Sequence, residues 1–114
     1  MRRPAHLRPA LVAALLIAGA TSLAGSDEAL FLAENDAAMA RMMAAMHVEP
    51  SGDVDADFVA MMVPHHQGAI DMAQALLRYG RNEQLRRIAQ EIIVTQKDEI
   101  AVMGLALGRR TGSP

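Results

Sequence analysis

The spacing of apolar residues divides the chain into a leading apolar run and three segments with helical periodicity. Within each segment, apolar side chains recur every three or four residues, which is the spacing of one helix face, and no segment shows the alternation of a strand. We therefore predict three helices, at about 27–47, from residue 53 or 55 to 79, and at about 83–107. The predicted fold class is all-α, an antiparallel helical bundle with three main helices after removal of the leading run.

The residues at the ends of these segments support the predicted boundaries. Ser26 and Asn82 are N-cap residues by type, because their side-chain oxygens can accept hydrogen bonds from the first free N–H groups of a helix. Gly80 and Gly108 are expected to end the second and third helices. The connection at 80–82 is so short that these two helices must be antiparallel neighbours.

Pro64 falls inside the second predicted helix, immediately before two adjacent histidines. Two interpretations fit this position. Proline removes a backbone donor and leaves the carbonyl of Ala60 unpaired, which predicts a kink or short break within one helix. Alternatively, Pro64 starts the main helix, and 55–62 form a separate turn.

The leading apolar run has the layout of a secretory signal peptide. Three arginines precede the apolar residues at 10–20, and Ser22 and Ala24 occupy the −3 and −1 positions of a cleavage site. Because the run is too short to span a bilayer comfortably, we expect a cleaved leader and export to the periplasm, cell envelope or extracellular space. The predicted organisation is a signal peptide at 1–24, a helical bundle domain at 25–108 and a disordered tail at 109–114.

The composition narrows the class of protein. Of 114 residues, 11 are basic and 13 acidic, and removal of the leader leaves 8 basic and 13 acidic residues, a net charge of −5. Since this sign is unfavourable for nucleic acids and anionic membranes, we predict neither as a partner, and no membrane span after cleavage. The chain has no cysteine, so it has no disulfide, and any site for a soft metal must use methionine and histidine.

Methionine and histidine are concentrated on the first two predicted helices. Eight of the nine methionines follow the leader, which is more than packing alone normally uses. Each helical residue turns by about 100°, so His65 shares a stripe with two methionines and Gly68, where a missing side chain leaves room for an ion or a close helix. His66 lies on a second stripe of the same helix. The predicted metal ligands are His65, His66, Met61, Met62, Met72, Met39, Met43 and Met46.

Copper is the ion that suits this ligand set best, since thioethers favour Cu(I) and imidazole binds either oxidation state. We predict copper ions bound as cargo, and either the second imidazole or Glu99 is available to help bind Cu(II). If the three helix faces converge, methionines of the first and third helices meet His65 and Met72. The candidate acceptors for the second nitrogen of a ligand histidine are Asp57, Asp71 and Gln96.

Other functions remain open. A methionine stripe at helical spacing is more often core packing than a ligand set, so the alternative is a methionine-rich helical interaction module without a physiological metal. A redox enzyme using bound copper needs an open coordination position. Since the sequence has no metalloprotease, nucleophile-elbow or phosphate-loop motif, we predict no enzymatic activity. Asp53, Asp55 and Asp57 are expected to cap a helix rather than bind calcium.

Residues 58–73, FVAMMVPHHQGAIDMA, closely resemble the signature of the family of domains of unknown function numbered 305. The resemblance extends over roughly 31–107. It implies a ferritin-like helical bundle, export to the periplasm or cell surface and, in CopM-like members, copper binding by methionine and histidine. That role falls here on His65, His66, Met61, Met62 and Met72. The third helix adds to the match through Ala89, Ile92, Ile93, Gln96, Glu99, Ile100 and Met103.

Two features depart from the family pattern. The chain has three predicted helices where a ferritin-like bundle has four, which leaves a homodimer or a shorter architecture open. Leu105 stands where many members carry a tryptophan, a difference that we expect to affect packing.

Overall fold

The computed structural model describes residues 25–108, and these form three α-helices. The helices are α1 at Asp27–Ala45, α2 at Val54–Tyr79 and α3 at Glu83–Ala106. Each packs antiparallel to the next along the chain, so the predicted all-α antiparallel helical bundle is confirmed. None of these helices is long and apolar enough to cross a membrane. The predicted signal peptide and disordered tail lie outside the described residues.

Side-chain caps begin the first and third helices. Ser26 accepts a hydrogen bond from the N–H of Ala29 at 3.2 Å, and Asn82 accepts one from the N–H of Leu85 at 3.0 Å. Both predicted N-caps are confirmed. The helices α1 and α3 end within two residues of their predicted ends, a difference that is usual for the fraying last turn of a helix.

The acids before α2 stabilise its first turn. Asp53 is the N-cap, and its carboxylate accepts hydrogen bonds from the N–H groups of Asp55 at 2.9 Å and Ala56 at 3.2 Å. The carboxylate of Asp57 accepts from the N–H of Ser51 at 3.1 and 3.2 Å. The predicted capping cluster is therefore confirmed.

The helix α2 is continuous from Val54 to Tyr79, and Pro64 lies in its interior. This excludes the second interpretation, in which Pro64 starts the main helix, and Pro64 lies inside one helix without the break that the first interpretation allowed. The carbonyl of Ala60 lacks the N–H partner that any other residue at position 64 would supply. Because the helix continues through the proline, the rotation of about 100° per residue relates the side chains on both sides of it.

Oppositely charged side chains line the seam between α1 and α2. On α1 they recur every seven residues, at 27, 34 and 41, and so lie on one face of the helix. Exposed ion pairs contribute little to stability one by one, but a ladder of matched signs selects the antiparallel register. The pairs are Asp27 with Arg81 at 2.9 Å, Glu34 with Arg78, and Arg41 with Asp71 at 3.3 Å.

The buried core is small. Most of its side chains are alanines, which allow neighbouring helices to approach closely, and Ile70 is the only large side chain described that is fully buried. No polar or charged residue is buried among the described residues. The apolar core residues are Ala38, Val59, Ile70, Ala73, Ala75 and Ala89.

The helix α2 lies between the other two, and no Cα atom of α1 comes within 8 Å of one in α3 in the described part of the chain. The bundle is therefore an open layer with two faces. One face carries a polar groove lined by Glu34, Arg41, Asp71 and Arg78. The α1 and α3 faces meet different sides of α2, so the methionines of these two helices do not converge on one point.

The second face of the layer is apolar, and we name it the open face. At its centre is a groove of about 360 Å³ lined by side chains from all three helices. By helical rotation, Met39 on α1 and Phe58, Met61 and His65 on α2 lie around it. The groove itself is lined mainly by Phe31, Met72, Leu76, Leu85, Ile88 and Ile92.

Candidate metal centre

His66 is the predicted ligand whose ring is held most firmly. Its side chain is 15% exposed, and both of its ring nitrogens have partners. Nδ1 donates to the carbonyl oxygen of Met62, 2.9 Å away and one helical turn earlier. Nε2 lies 2.6 Å from Oε2 of Glu99, which belongs to α3.

The two contacts use different ring nitrogens. A carbonyl oxygen only accepts hydrogen bonds, so the contact with Met62 is a hydrogen bond when Nδ1 is the donor. A hydrogen bond between Nε2 and Glu99 needs a proton that the ring or the carboxyl group supplies. A metal ion that binds Nε2 has to replace that proton.

Two methionines lie beside this pair. Met62 on α2 and Met103 on α3 line the same groove as His66 and Glu99, with a volume of about 270 Å³. Phe58, which also lies at the edge of the open face, and Val102 supply the remaining walls, so the surroundings are largely apolar. This cavity, the α2–α3 groove, collects one imidazole, one carboxylate and two thioethers from two helices.

Helical spacing explains why these four side chains meet. Met62 and His66 are four residues apart on α2, and Glu99 and Met103 are four apart on α3, so each pair lies on one face of its helix. The antiparallel packing brings the two faces together. At the other end of this seam, the guanidinium of Arg86 donates to two carbonyl oxygens at the end of α2, at 2.6 and 3.0 Å.

The predicted ligand set left out Met103 and gave Glu99 only a helping role. A signal for both was present, because the four-residue spacing of Glu99 and Met103 matches that of Met62 and His66. The periodicity of one chain does not say which turn of α3 faces which turn of α2. That register is what the structure adds.

His65 and two of its predicted companions lie on the open face. Met61 is 40% exposed and Met72 is 43% exposed, and His65 is also exposed. The ring centroids of His65 and His66 are 6.1 Å apart, with an angle of 62° between the ring planes. The structure thus divides the predicted α2 ligands, with Met62 and His66 in the α2–α3 groove and the other three on the open face.

The methionines of α1 have different surroundings. Met39 and Met43 are 43% and 61% exposed, whereas Met46 is half-buried at the end of the helix. A Cβ atom at Gly68 would lie 2.6 Å from Sδ of Met42. The missing side chain at Gly68 therefore admits a close helix, one of the two uses that the sequence left open.

Two of the predicted acceptors for a histidine nitrogen bind other groups. Asp57 accepts from the backbone of Ser51, as described above. Asp71 accepts from Gln67 at 2.9 Å and from Arg41 at 3.3 Å. For His66, the carbonyl oxygen of Met62 is the acceptor at Nδ1.

A second group of titratable side chains joins α1 to α2 in the polar groove. Glu34 accepts from Nε of Arg78 at 2.9 Å and from the hydroxyl of Tyr79 at 2.7 Å. The bond from Arg78, followed by the bond from Tyr79, lowers the pKa of Glu34. The bond to Glu34 raises the pKa of Arg78 and, together with burial, that of Tyr79. Glu34 thus stays ionised to lower pH and keeps its partners in place.

Donors other than sulfur are few. Across residues 25–108, no group of three or more His, Cys, Asp or Glu side chains is placed to hold a metal ion. His66 and Glu99 form a pair, and the other residues of the α2–α3 groove with a donor in the side chain are Met62 and Met103.

The chain is thus an antiparallel three-helix protein with a methionine–histidine groove between its second and third helices. Residues 19–107 match the model of the family described as Domain of unknown function (DUF305), and the chain belongs to this family. A comparison with curated proteins found no match. The resemblance inferred from residues 58–73 is confirmed at the level of the family, and its ferritin-like and CopM-like aspects stay predictions.

Proposed function

We propose that this protein is exported and binds copper ions as cargo, either to sequester them or to pass them on. The observation that carries the proposal is the α2–α3 groove, where one imidazole, one carboxylate and two thioethers line the same cavity. Thioethers favour Cu(I), and nitrogen and oxygen donors accept Cu(II). We propose export because residues 1–24 have the sequence pattern of a signal peptide, and we propose no catalysed reaction.

His66 is the proposed central ligand. Its Nδ1–H bond to the Met62 carbonyl is the kind of outer contact that ligand histidines make, and it leaves Nε2 as the metal-binding atom. With bond lengths of about 2.0–2.2 Å, as for zinc, an ion shared by Nε2 and a Glu99 oxygen needs these atoms about 3 Å apart. They are 2.6 Å apart, and the side chain of Glu99 is 51% exposed, which gives it room for this small shift.

The proposed ligands differ between the two oxidation states of copper. For Cu(I), the proposed ligands are His66, Met62 and Met103. For Cu(II), Glu99 joins His66, because a carboxylate is a harder donor than a thioether. Both ions displace a proton at His66, but Cu(I) keeps two thioether ligands that carry no proton, so its affinity should fall less than that of Cu(II) at acidic pH.

The remaining predicted ligands offer a second, more accessible group. Met61 and His65 lie one turn apart on the open face of α2. Met42 lies opposite Gly68. Because α1 and α2 are antiparallel, the residue one turn after Met42 on α1 lies opposite the residues one turn before Gly68 on α2. Met46 therefore lies beside positions 64 and 65. We propose that this group receives or releases the ion, because exposed donors are within reach of a partner.

The assignment is tested by titrating variants of the processed chain with Cu(I) and Cu(II) against competing chelators. Met103→Leu keeps the side-chain volume and removes the sulfur, and it should weaken Cu(I) binding by about tenfold or more. Glu99→Gln should weaken Cu(II) binding and leave Cu(I) binding nearly unchanged. Met42→Leu is the matched control, because Met42 packs against Gly68, away from the groove. Equal losses in Met42→Leu and Met103→Leu would contradict the assignment.

The open face favours one other function, that of a methionine-rich helical interaction module. Flexible methionine surfaces adapt to partners, and an exposed apolar patch is typical of an interaction site. Thermal unfolding after chelation separates the two functions. A copper protein gains stability when Cu(I) is restored, whereas an interaction module keeps the same Tm with and without the ion.

A further inference from the structure

The open face leaves a large apolar area in solvent. Phe31, Leu76 and Ile92 in its groove are half-buried. A fully exposed side chain of this size has roughly 200 Å² of accessible surface, so the exposed fractions of the side chains on this face sum to about 700 Å² of apolar surface. The largest apolar patch on a typical monomer is about 300–600 Å². Six exposed apolar side chains contribute most of this area on the open face, each 40–50% exposed: Met39, Phe58, Met61, Met72, Leu85 and Ile88.

The core beneath this face is too small to account for the apolar content of the helices. Only Ile70 among the large described side chains is fully buried, and the core is otherwise mostly alanine. Small domains with a thin core and no disulfide usually gain stability from further burial, and oligomerisation is one common route. Six of the thirteen exposed large apolar residues in the described part of the chain lie together on the open face.

We propose that a second copy of this chain covers the open face and forms a homodimer, with one three-helix layer packed on another. An area of about 700 Å² per copy is close to the roughly 800 Å² per partner of a stable interface. Two packed layers are also the usual way for helices to bury their apolar sides. The opposite face is polar, and its charged side chains pair within one copy, Glu34 with Arg78 and Arg41 with Asp71.

This dimer has a definite relation to the metal ligands. Met61, His65 and Met72 enter the interface and leave solvent, so the copper exchange proposed for Met61 and His65 takes place only in the separated monomer. The metal ligands of the α2–α3 groove come from two helices of the same copy, and the groove borders the interface through Phe58, which belongs to both. Dimerisation therefore does not require copper, and it can be tested apart from copper binding.

The helix α3 provides a matched pair of variants. Ile88 lies on the open face and is 43% exposed, whereas Val94 is 61% exposed and lines a different groove with Arg87 and Glu91. Ile88→Asp places a charge in the proposed interface and should raise the dimer dissociation constant by about 100-fold or more. Val94→Asp adds the same charge outside the interface and should leave the constant unchanged.

Sedimentation equilibrium of the processed chain in the presence of a chelator measures these constants, and circular dichroism verifies that each variant is helical. The expected result is a wild-type dimer, a monomeric Ile88→Asp variant and a dimeric Val94→Asp variant. If Ile88→Asp loses helicity, Met72→Gln on the same face takes its place as a milder polar change. A monomeric wild type at every concentration, or equal effects of the two α3 variants, would overturn the proposal.

Discussion

Replacing Gly68 with alanine tests how closely α1 approaches α2. A Cβ atom at this position would lie 2.6 Å from Sδ of Met42, 3.2 Å from its Cγ and 3.3 Å from its Cβ. Unstrained contacts between such atoms are about 3.5–4.0 Å. The thioether end of Met42 can rotate away, but its Cβ moves only with the backbone. Alanine at position 68 therefore pushes α1 outward by a few tenths of an ångström.

Two opposing contributions set the size of the effect. Alanine is more favourable than glycine in a helix interior by about 1 kcal/mol. Overpacking a fitted contact costs about 1–3 kcal/mol. We expect Gly68→Ala to lower the free energy of unfolding by about 1 kcal/mol, in spite of its better helix propensity.

A double variant separates these contributions. Met42→Ala removes Sδ and Cγ, so only a Cβ atom remains near position 68. In that background the Cβ contact at 3.3 Å remains, so Gly68→Ala should be nearly neutral for stability, which corresponds to a coupling of about 1 kcal/mol between the two positions. Urea unfolding followed by far-ultraviolet circular dichroism, at one protein concentration, gives the four free energies.

Stabilisation of the wild-type background by Gly68→Ala, by the full gain in helix propensity, would contradict this prediction. That result would mean that α1 packs further from α2 than the contact with Met42 allows. The register that brings Met46 beside His65 would then lose its support.

Other perturbations test the polar groove, the core and the copper chemistry. The bond from Arg78 lowers the pKa of Glu34, so the stability that Glu34 contributes is present above its ordinary pKa and lost as the pH falls through the lower folded-state pKa. Glu34→Gln should remove this loss from acid-unfolding curves followed by circular dichroism. The chain has one tyrosine, Tyr79, and its bond to Glu34 raises its pKa, so ultraviolet titration should show tyrosinate forming at higher pH than in a free tyrosine, and at lower pH in Glu34→Gln. The buried Oδ1 of Asn35 has no hydrogen-bond partner among the described residues, so Asn35→Leu should raise the free energy of unfolding by about 1 kcal/mol in urea titrations. Cu(II) affinity should fall between neutral and mildly acidic pH while Cu(I) affinity changes less, and equal losses for both ions would argue against thioether ligands.

The helix ends could be predicted because local chemistry determines them. Ser26 and Asn82 each bond to an N–H group three residues later, and Asp53 does the same at the start of α2. Such contacts lie within one turn and can be read from residue types. The continuity of α2 through Pro64 could not be chosen in this way, because it depends on packing along the whole helix.

The arrangement of the helices could not be predicted from periodicity. Large apolar residues surround much of α2, and they do not say which side faces α1. The α1 side is marked instead by small residues, Gly68 and Ala75, and by Asp71, which pairs with Arg41. These signals become specific only when both helices are read together.

The types of ligand in the candidate site could be predicted from the sequence, but which of these residues lie together could be predicted only in part. Methionine and histidine without cysteine indicated a soft-metal site, and this follows from composition. The adjacent histidines point about 100° apart, so they had to serve different faces. Which of them meets Glu99 depends on the register of α3, and the structure gives that position to His66.

Copper binding is tested most directly by titrating the processed wild-type chain with Cu(I), held reduced against a competing chelator, beside Zn(II) and Ni(II). We predict that Cu(I) is taken from the chelator and that the other two ions have little effect, because the groove combines thioethers with one imidazole. No Cu(I) binding above that of the chelator, or preference for Zn(II), would contradict the proposal and leave the methionines as packing residues.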